Sequence, residues 1–250
     1  MLRGYLLGLV SFAALMTTLG GPAEAAEIKI ISGPATAGVL AQLGPKFERD
    51  TGGKLTNKGG VTGVLKQLIE SGEQFDLAII PGPLIKGKIA AGTSAPFVRV
   101  GMGVAVRAGA AKPDLSSVAK FKQAILDAKS VTFVPQGETA IQLARVLERL
   151  GIAEQVKAKA QPRPTVPAAI QAVASGEAEL YFSLTNIIAS GKGIELAAPF
   201  PPELQHYLVI NTGISAAAKE PDAAKALVKL LMSPEADPAI KAAGLERAPQ

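Results

Sequence analysis

The chain has no cysteine, no tryptophan and one histidine, and only 4% of its residues are aromatic. Without cysteine the fold holds together with no disulfide, and thiolate metal sites and thiol nucleophiles are excluded. His206, alone, cannot supply the imidazole cluster of a zinc site. Sugar sites and single-strand nucleic-acid sites rest on aromatic stacking platforms, and there is little here to build one. Basic residues exceed acidic ones, 26 against 21, but they are scattered rather than gathered into a stripe that would track a nucleic-acid backbone. The chain is therefore expected not to bind nucleic acid. A modest excess of lysine instead draws anions towards a cleft. No P-loop and no Ser-His-Asp arrangement is legible, and no cofactor is expected.

What is present begins with an export signal. Arg3 supplies a short positive flank, and Leu6 to Leu15 an apolar stretch too short to span a bilayer with margin. Ala23-Glu24-Ala25 offers small residues at both positions that a signal peptidase reads. Residues 1–25 are expected to be removed, with the folded protein beginning at Ala26 or Glu27. A lipid anchor would need a cysteine, so the mature protein is expected to diffuse freely. Free diffusion is useful only in an enclosed space, which favours the periplasm. With 48% hydrophobic residues, the remainder can bury a sizeable core.

The mature sequence alternates strand-like and helix-like segments, the pattern of an α/β architecture with mostly parallel sheets. Strands are predicted over 28–32, 54–58, 75–80, 130–134, 180–183 and 207–214. Helices are predicted over 35–50, 62–70, 115–127, 138–150, 167–175 and 223–232. Gly52 and Gly151 end two of the helices, because glycine accepts the left-handed cap conformation. The run 97–106 is long and apolar enough to cross between two domains, and 197–202 reads as a proline-rich link. Two lobes joined by two crossover strands follow. Residues 26–100 and 206–250 form lobe 1, the latter as a return strand with C-terminal helices, and residues 101–205 form lobe 2. The cleft between them is a natural place for a small ligand.

Five strand ends run into glycine, proline or hydroxylated residues. They are Ser32-Gly33-Pro34-Ala35, Gly60-Val61-Thr62, Pro81-Gly82-Pro83, Gln136-Gly137-Glu138-Thr139 and Ser183-Leu184-Thr185. In α/β sheets, ligands gather outside the carboxyl ends of strands. A helix starting there presents unpaired N–H groups and a partial positive charge. Glycine and short hydroxyl side chains let a ligand come close to that backbone. Converging on one cleft, such ends can hold a small oxyanion or carboxylate without a formal positive charge. The expected ligand-binding residues are Ser32, Gly33, Ala35, Gly60, Val61, Thr62, Pro81, Gln136, Gly137, Glu138, Thr139, Ser183 and Thr185. Each also has a plain structural role open to it, as a helix cap or a turn.

The chain resembles the type II periplasmic binding proteins of the molybdate-binding kind. The resemblance is carried by Thr62-Gly63-Val64-Leu65-Lys66-Gln67-Leu68, by Phe75-Asp76-Leu77-Ala78-Ile79-Ile80, by Val134-Pro135-Gln136-Gly137-Glu138-Thr139-Ala140, and by Ser175-Gly176-Glu177-Ala178-Glu179 ahead of Ser183-Leu184-Thr185-Asn186. It covers nearly the whole mature chain. It departs from the molybdate pattern in three places. Ala35, or an offset Ser32, stands where a serine is usual in the first turn. Thr62 stands for a second serine, and Ser183-Leu184-Thr185-Asn186 for a Tyr-x-Thr-Asp segment. The resemblance implies a monomeric receptor that closes on a small anion, molybdate or an organic carboxylate, and docks on an ABC permease in the inner membrane.

The rival expectation is an exported isomerase of a small polycarboxylate using the same cleft. Removing a proton beside a carboxylate needs one base and one oxyanion stabiliser, and Glu138 or His206 is the candidate base. Lys58 and Arg107 are cations within conceivable reach of a ligand. Arg145, Glu148 and Arg149 form a charged helix face suited to solubility or docking.

Overall fold

The computed structural model describes residues 26–249; the predicted export signal lies outside them. In chain order, β1 (Glu27–Ser32), α1 (Ala37–Thr51), β2 (Lys54–Gly59), α2 (Thr62–Glu70), β3 (Leu77–Pro81) and β4 (Ala95–Val100) come first. The chain continues with β5 (Met102–Arg107), α3 (Val118–Asp127), β6 (Val131–Thr132), α4 (Glu138–Leu150), α5 (Ala153–Lys157), α6 (Val166–Ala174), β7 (Leu180–Leu184), α7 (Thr185–Ser190) and β8 (Ile194–Pro199). It ends with β9 (Leu208–Ile214), α8 (Pro221–Met232), α9 (Asp237–Ala242) and β10 (Glu246–Arg247). No helix among the described residues is long and apolar enough to cross a membrane.

Two sheets divide the strands. The first has the order β10-β4-β9-β3-β1-β2 and the second β6-β7-β5-β8. The chain crosses from the first to the second at Gly101 and returns through residues 200–207. The two crossings are fastened together, because Gln205 takes the Met102 N–H at 2.7 Å on Oε1 and gives Nε2 to the Met102 carbonyl at 3.0 Å.

Why these segments adopt these forms follows from their patterns. α1 turns Val39, Leu43 and Phe47 into the core at helical spacing and ends at Gly52, whose φ of 72° is the left-handed cap. α4 buries Leu143, Val146 and Leu147 and stops at Gly151 in the same way. β3 lies inside its sheet with Leu77 to Ile80 all buried, as its unbroken apolar run predicts. The scarce aromatics are concentrated where they pack best: Phe200 meets Phe121 and Phe182 edge to face, at 4.8 and 6.0 Å.

Two expectations are corrected. The sheets are mixed rather than mostly parallel. β1 pairs in parallel with β2 and β3, and β6 with β7, but the pairings of β9, β5 and β10 are antiparallel. Crossover strands enter each sheet against the run of the βαβ units, so they must pair that way. The proline-rich link predicted over 197–202 begins inside β8, whose proline sits at its last residue, where a missing N–H does least harm.

Candidate functional site

Between the sheets lies a narrow cleft of about 60 Å³. The first sheet's side of it is built from strand ends. Gly33 and Ala35 follow β1, Gly60, Val61 and Thr62 lead into α2, and Pro81 closes β3. From the opposite side come Gly137, Glu138 and Thr139 at the start of α4, and Ser183 on β7. Ten of the thirteen residues expected from sequence are thus brought to one hollow.

The other three are not. Ser32 is buried behind the wall and gives its hydroxyl to Asn57 Oδ1 at 3.0 Å, bracing β1 against β2. Gln136 is exposed, and its carbonyl accepts the Gly63 N–H at 2.8 Å across the cleft. Thr185 turns away, and its N–H closes onto Gly101 O at the crossing, 2.9 Å away. The cations named from sequence also lie elsewhere. Lys58 pairs with Glu73 at 2.7 Å, and Arg107 borders a separate surface hollow near Gly176. His206 is exposed and outside the cleft wall, which removes it as a candidate base.

The charge pattern of the wall is simple. Among the described residues that line it there is no lysine, arginine or histidine, and Glu138 is the one ionisable carboxyl. Polarity comes from Thr62, Thr139, Ser183 and Tyr181, and from the two helix N-termini that face each other, α2 and α4. Most of the remaining wall is aliphatic, including Leu65, Val134, Ile187, Leu208 and Ile210.

Tyr181 was missed from sequence. It stands two residues before Ser183, and a strand's period of two puts both on one face. Burial pushes the Tyr181 phenol up from its usual value, and a hydrogen bond with Ser183 opposes the rise. The folded state thus holds this proton more tightly than the unfolded chain does. The stability it adds is whole below the ordinary tyrosine range and declines as the pH climbs through it. In an alkaline absorbance titration Tyr181 should ionise above the ordinary tyrosine range; a Tyr181→Phe variant that leaves the late-ionising fraction unchanged would contradict this.

Two sheets, two crossings and a cleft at their strand ends define a two-lobed α/β fold. The chain belongs to the family of bacterial extracellular solute-binding proteins, whose model matches residues 28–246. It is similar to the molybdate-binding protein ModA of Azotobacter vinelandii, 30% identical over 254 residues, covering 94% of this chain and 97% of that one. It is also similar to an aconitate isomerase of a Pseudomonas species, 28% identical over 233 residues, covering 89% of this chain and 88% of the relative. The solved periplasmic molybdate-binding protein of Azotobacter vinelandii has the same fold, with a TM-score of 0.71 at 22% identity, covering 89% of this chain and all of that one.

Proposed function

We propose that this protein is a periplasmic receptor that captures a small anion, an oxyanion such as molybdate or a small organic carboxylate, and hands it to an ABC-type importer. It works as a monomer whose lobes, residues 26–100 with 206–250 and residues 101–205, close over the ligand. The observation that carries this reading is the meeting of two helix N-termini from opposite halves, with Thr62, Thr139 and Ser183, around one cleft. Neutral dipoles fixed in a partly dry site stabilise an anion without reorganisation. The family membership and the molybdate-binding relative support it.

Calorimetry and thermal-shift screening across oxyanions and di- and tricarboxylates test the proposal. Thr62→Ala and Ser183→Ala are each expected to weaken binding of the ligand found by about 1–3 kcal/mol, as loss of a hydroxyl donor to an anion requires. Unchanged affinity in both variants would reject the site.

A second reading has its own support. Glu138 is a carboxylate in the cleft wall, and the aconitate isomerase relative spans nearly the whole chain. On this reading Glu138 removes a proton beside a bound carboxylate while the helix N-termini hold the developing charge. Proton NMR of the bound carboxylate separates the two: conversion assigns an isomerase, persistence a receptor.

A further inference from the structure

We infer that Glu138 is the residue that sets ligand class, selecting a small hydroxy acid and turning away fully ionised tetrahedral oxyanions. This rests on the reading of the cleft as an anion site and narrows it.

The inference starts from hydrogen-bond direction. Gln142, 8% exposed, lies one turn along α4 from Glu138 and gives Nε2 to Glu138 Oε1 at 2.9 Å. The amide's orientation is fixed from its other end, where Arg145 Nη1 donates to Gln142 Oε1 at 3.4 Å. Arginine can only donate, so the Gln142 oxygen must face it and the amide nitrogen must face Glu138. The carboxylate is thereby held as an acceptor, and the charge of Arg145 is relayed to it through the amide. Glu138 is half-buried, and its Oε2 has no protein partner among the described residues and stays open to solvent. An ionised carboxylate has no proton to give, so a ligand satisfies Oε2 only by bringing a hydrogen of its own.

A fully ionised tetrahedral oxyanion has acceptors on every side and no donor. It can take the helix N-termini with some of its oxygens, but set beside Glu138, with no cation in the wall, it meets the carboxylate with a like charge and no proton between them. A hydroxy acid divides the task. Its carboxylate takes the N-terminal amides and hydroxyls of α2 and α4, and its hydroxyl meets Oε2. Its carbon skeleton covers Leu65, Val134, Leu208 and Ile210, apolar wall that an inorganic oxyanion leaves unused. Glu138 touches the ligand; Gln142 and Arg145 act through it as positioning residues.

Calorimetric titration with matched pairs tests this, using malate against succinate and citrate against tricarballylate, with molybdate and sulfate as bare oxyanions. In the natural protein the hydroxylated member of a pair should bind about 10- to 100-fold more tightly, the range for a hydrogen bond to a charged acceptor. Glu138→Ala should bring that ratio near one. Glu138→Gln, of the same shape without the charge, should raise affinity for molybdate or sulfate. Gln142→Leu should lower the hydroxyl ratio while the deoxy members bind as before, a split that general loss of structure does not produce. The inference is overturned if the natural protein prefers molybdate to every hydroxy acid, or if the preference survives Glu138→Ala; the anion-receptor reading survives either result. Binding of no anion at all overturns that reading, and this inference with it.

Discussion

Valine in place of Gly63 is expected to weaken ligand binding by about tenfold or more, or ~1.4 kcal/mol and upward, with little change in the melting temperature of the empty protein. The first turn of α2 comes against the loop before α4 at this residue. Its N–H reaches Gln136 O at 2.8 Å. A Cβ here would stand 3.0 Å from Gln136 Cβ and 3.3 Å from its carbonyl oxygen. Those atoms cannot swing aside as the tip of a side chain would. The added methyl groups must wedge the halves apart, separating Thr62 on one side from Glu138 and Thr139 on the other. The closed form becomes the minor form, and apparent affinity falls in proportion to its population. Titration calorimetry of Gly63→Ala and Gly63→Val should give a graded loss. Equal affinity across all three proteins would mean that ligand is held without this contact.

The largest loss of stability is expected from Asp76→Ala, about 1–3 kcal/mol, the cost of leaving its hydrogen-bond donors unsatisfied. Asp76 is 3% exposed. Its Oδ2 accepts Lys29 N–H at 2.8 Å, and its Oδ1 accepts Lys219 N–H at 2.7 Å and Glu220 N–H at 3.0 Å. One carboxylate therefore joins β1, the entry to β3 and the loop ahead of α8, from distant parts of the chain. Removing it leaves three part-buried amides without their acceptor. Asp76→Asn should be only a partial repair, since its amide nitrogen would confront the Lys29 N–H. Urea unfolding followed by circular dichroism measures both; a loss below about 1 kcal/mol for the alanine variant would show that water replaces the carboxylate.

Asp76 also illustrates how unevenly the sequence revealed the fold. It stood within a legible strand motif, yet nothing local showed that it would close three long-range hydrogen bonds. Local signals were read well where they were strong. The bounds of α2 and α4 follow directly from their apolar spacing and glycine-flanked starts. β8 was hidden because its residues are half-buried and end in proline, so neither alternation nor a continuous apolar run marks it. The site was legible for a related reason. Its polar parts sit at strand-to-helix turns, which composition marks, and these supplied ten of the expected positions. Its apolar wall is drawn from Leu208 and Ile210 on the returning strand and from Val166 and Ile187, segments that pattern alone assigns to the core. Ser32 and Thr185 had the right residue type, but neighbours claimed them first: Asn57 takes the Ser32 hydroxyl, and Gly101 takes the Thr185 amide.

Gly101 is the single residue between β4 and β5, and Gln205 clasps the next residue from the returning segment. A joint this short cannot stretch, and a clasp across both strands resists shear. The proposed closure would then be a swivel about an axle through Met102. Motion at the axle is slight, and it grows with distance from it. A small turn that shuts the mouth on its guest therefore sweeps the far rims through the widest arc, where a full molecule differs most in outline from an empty one.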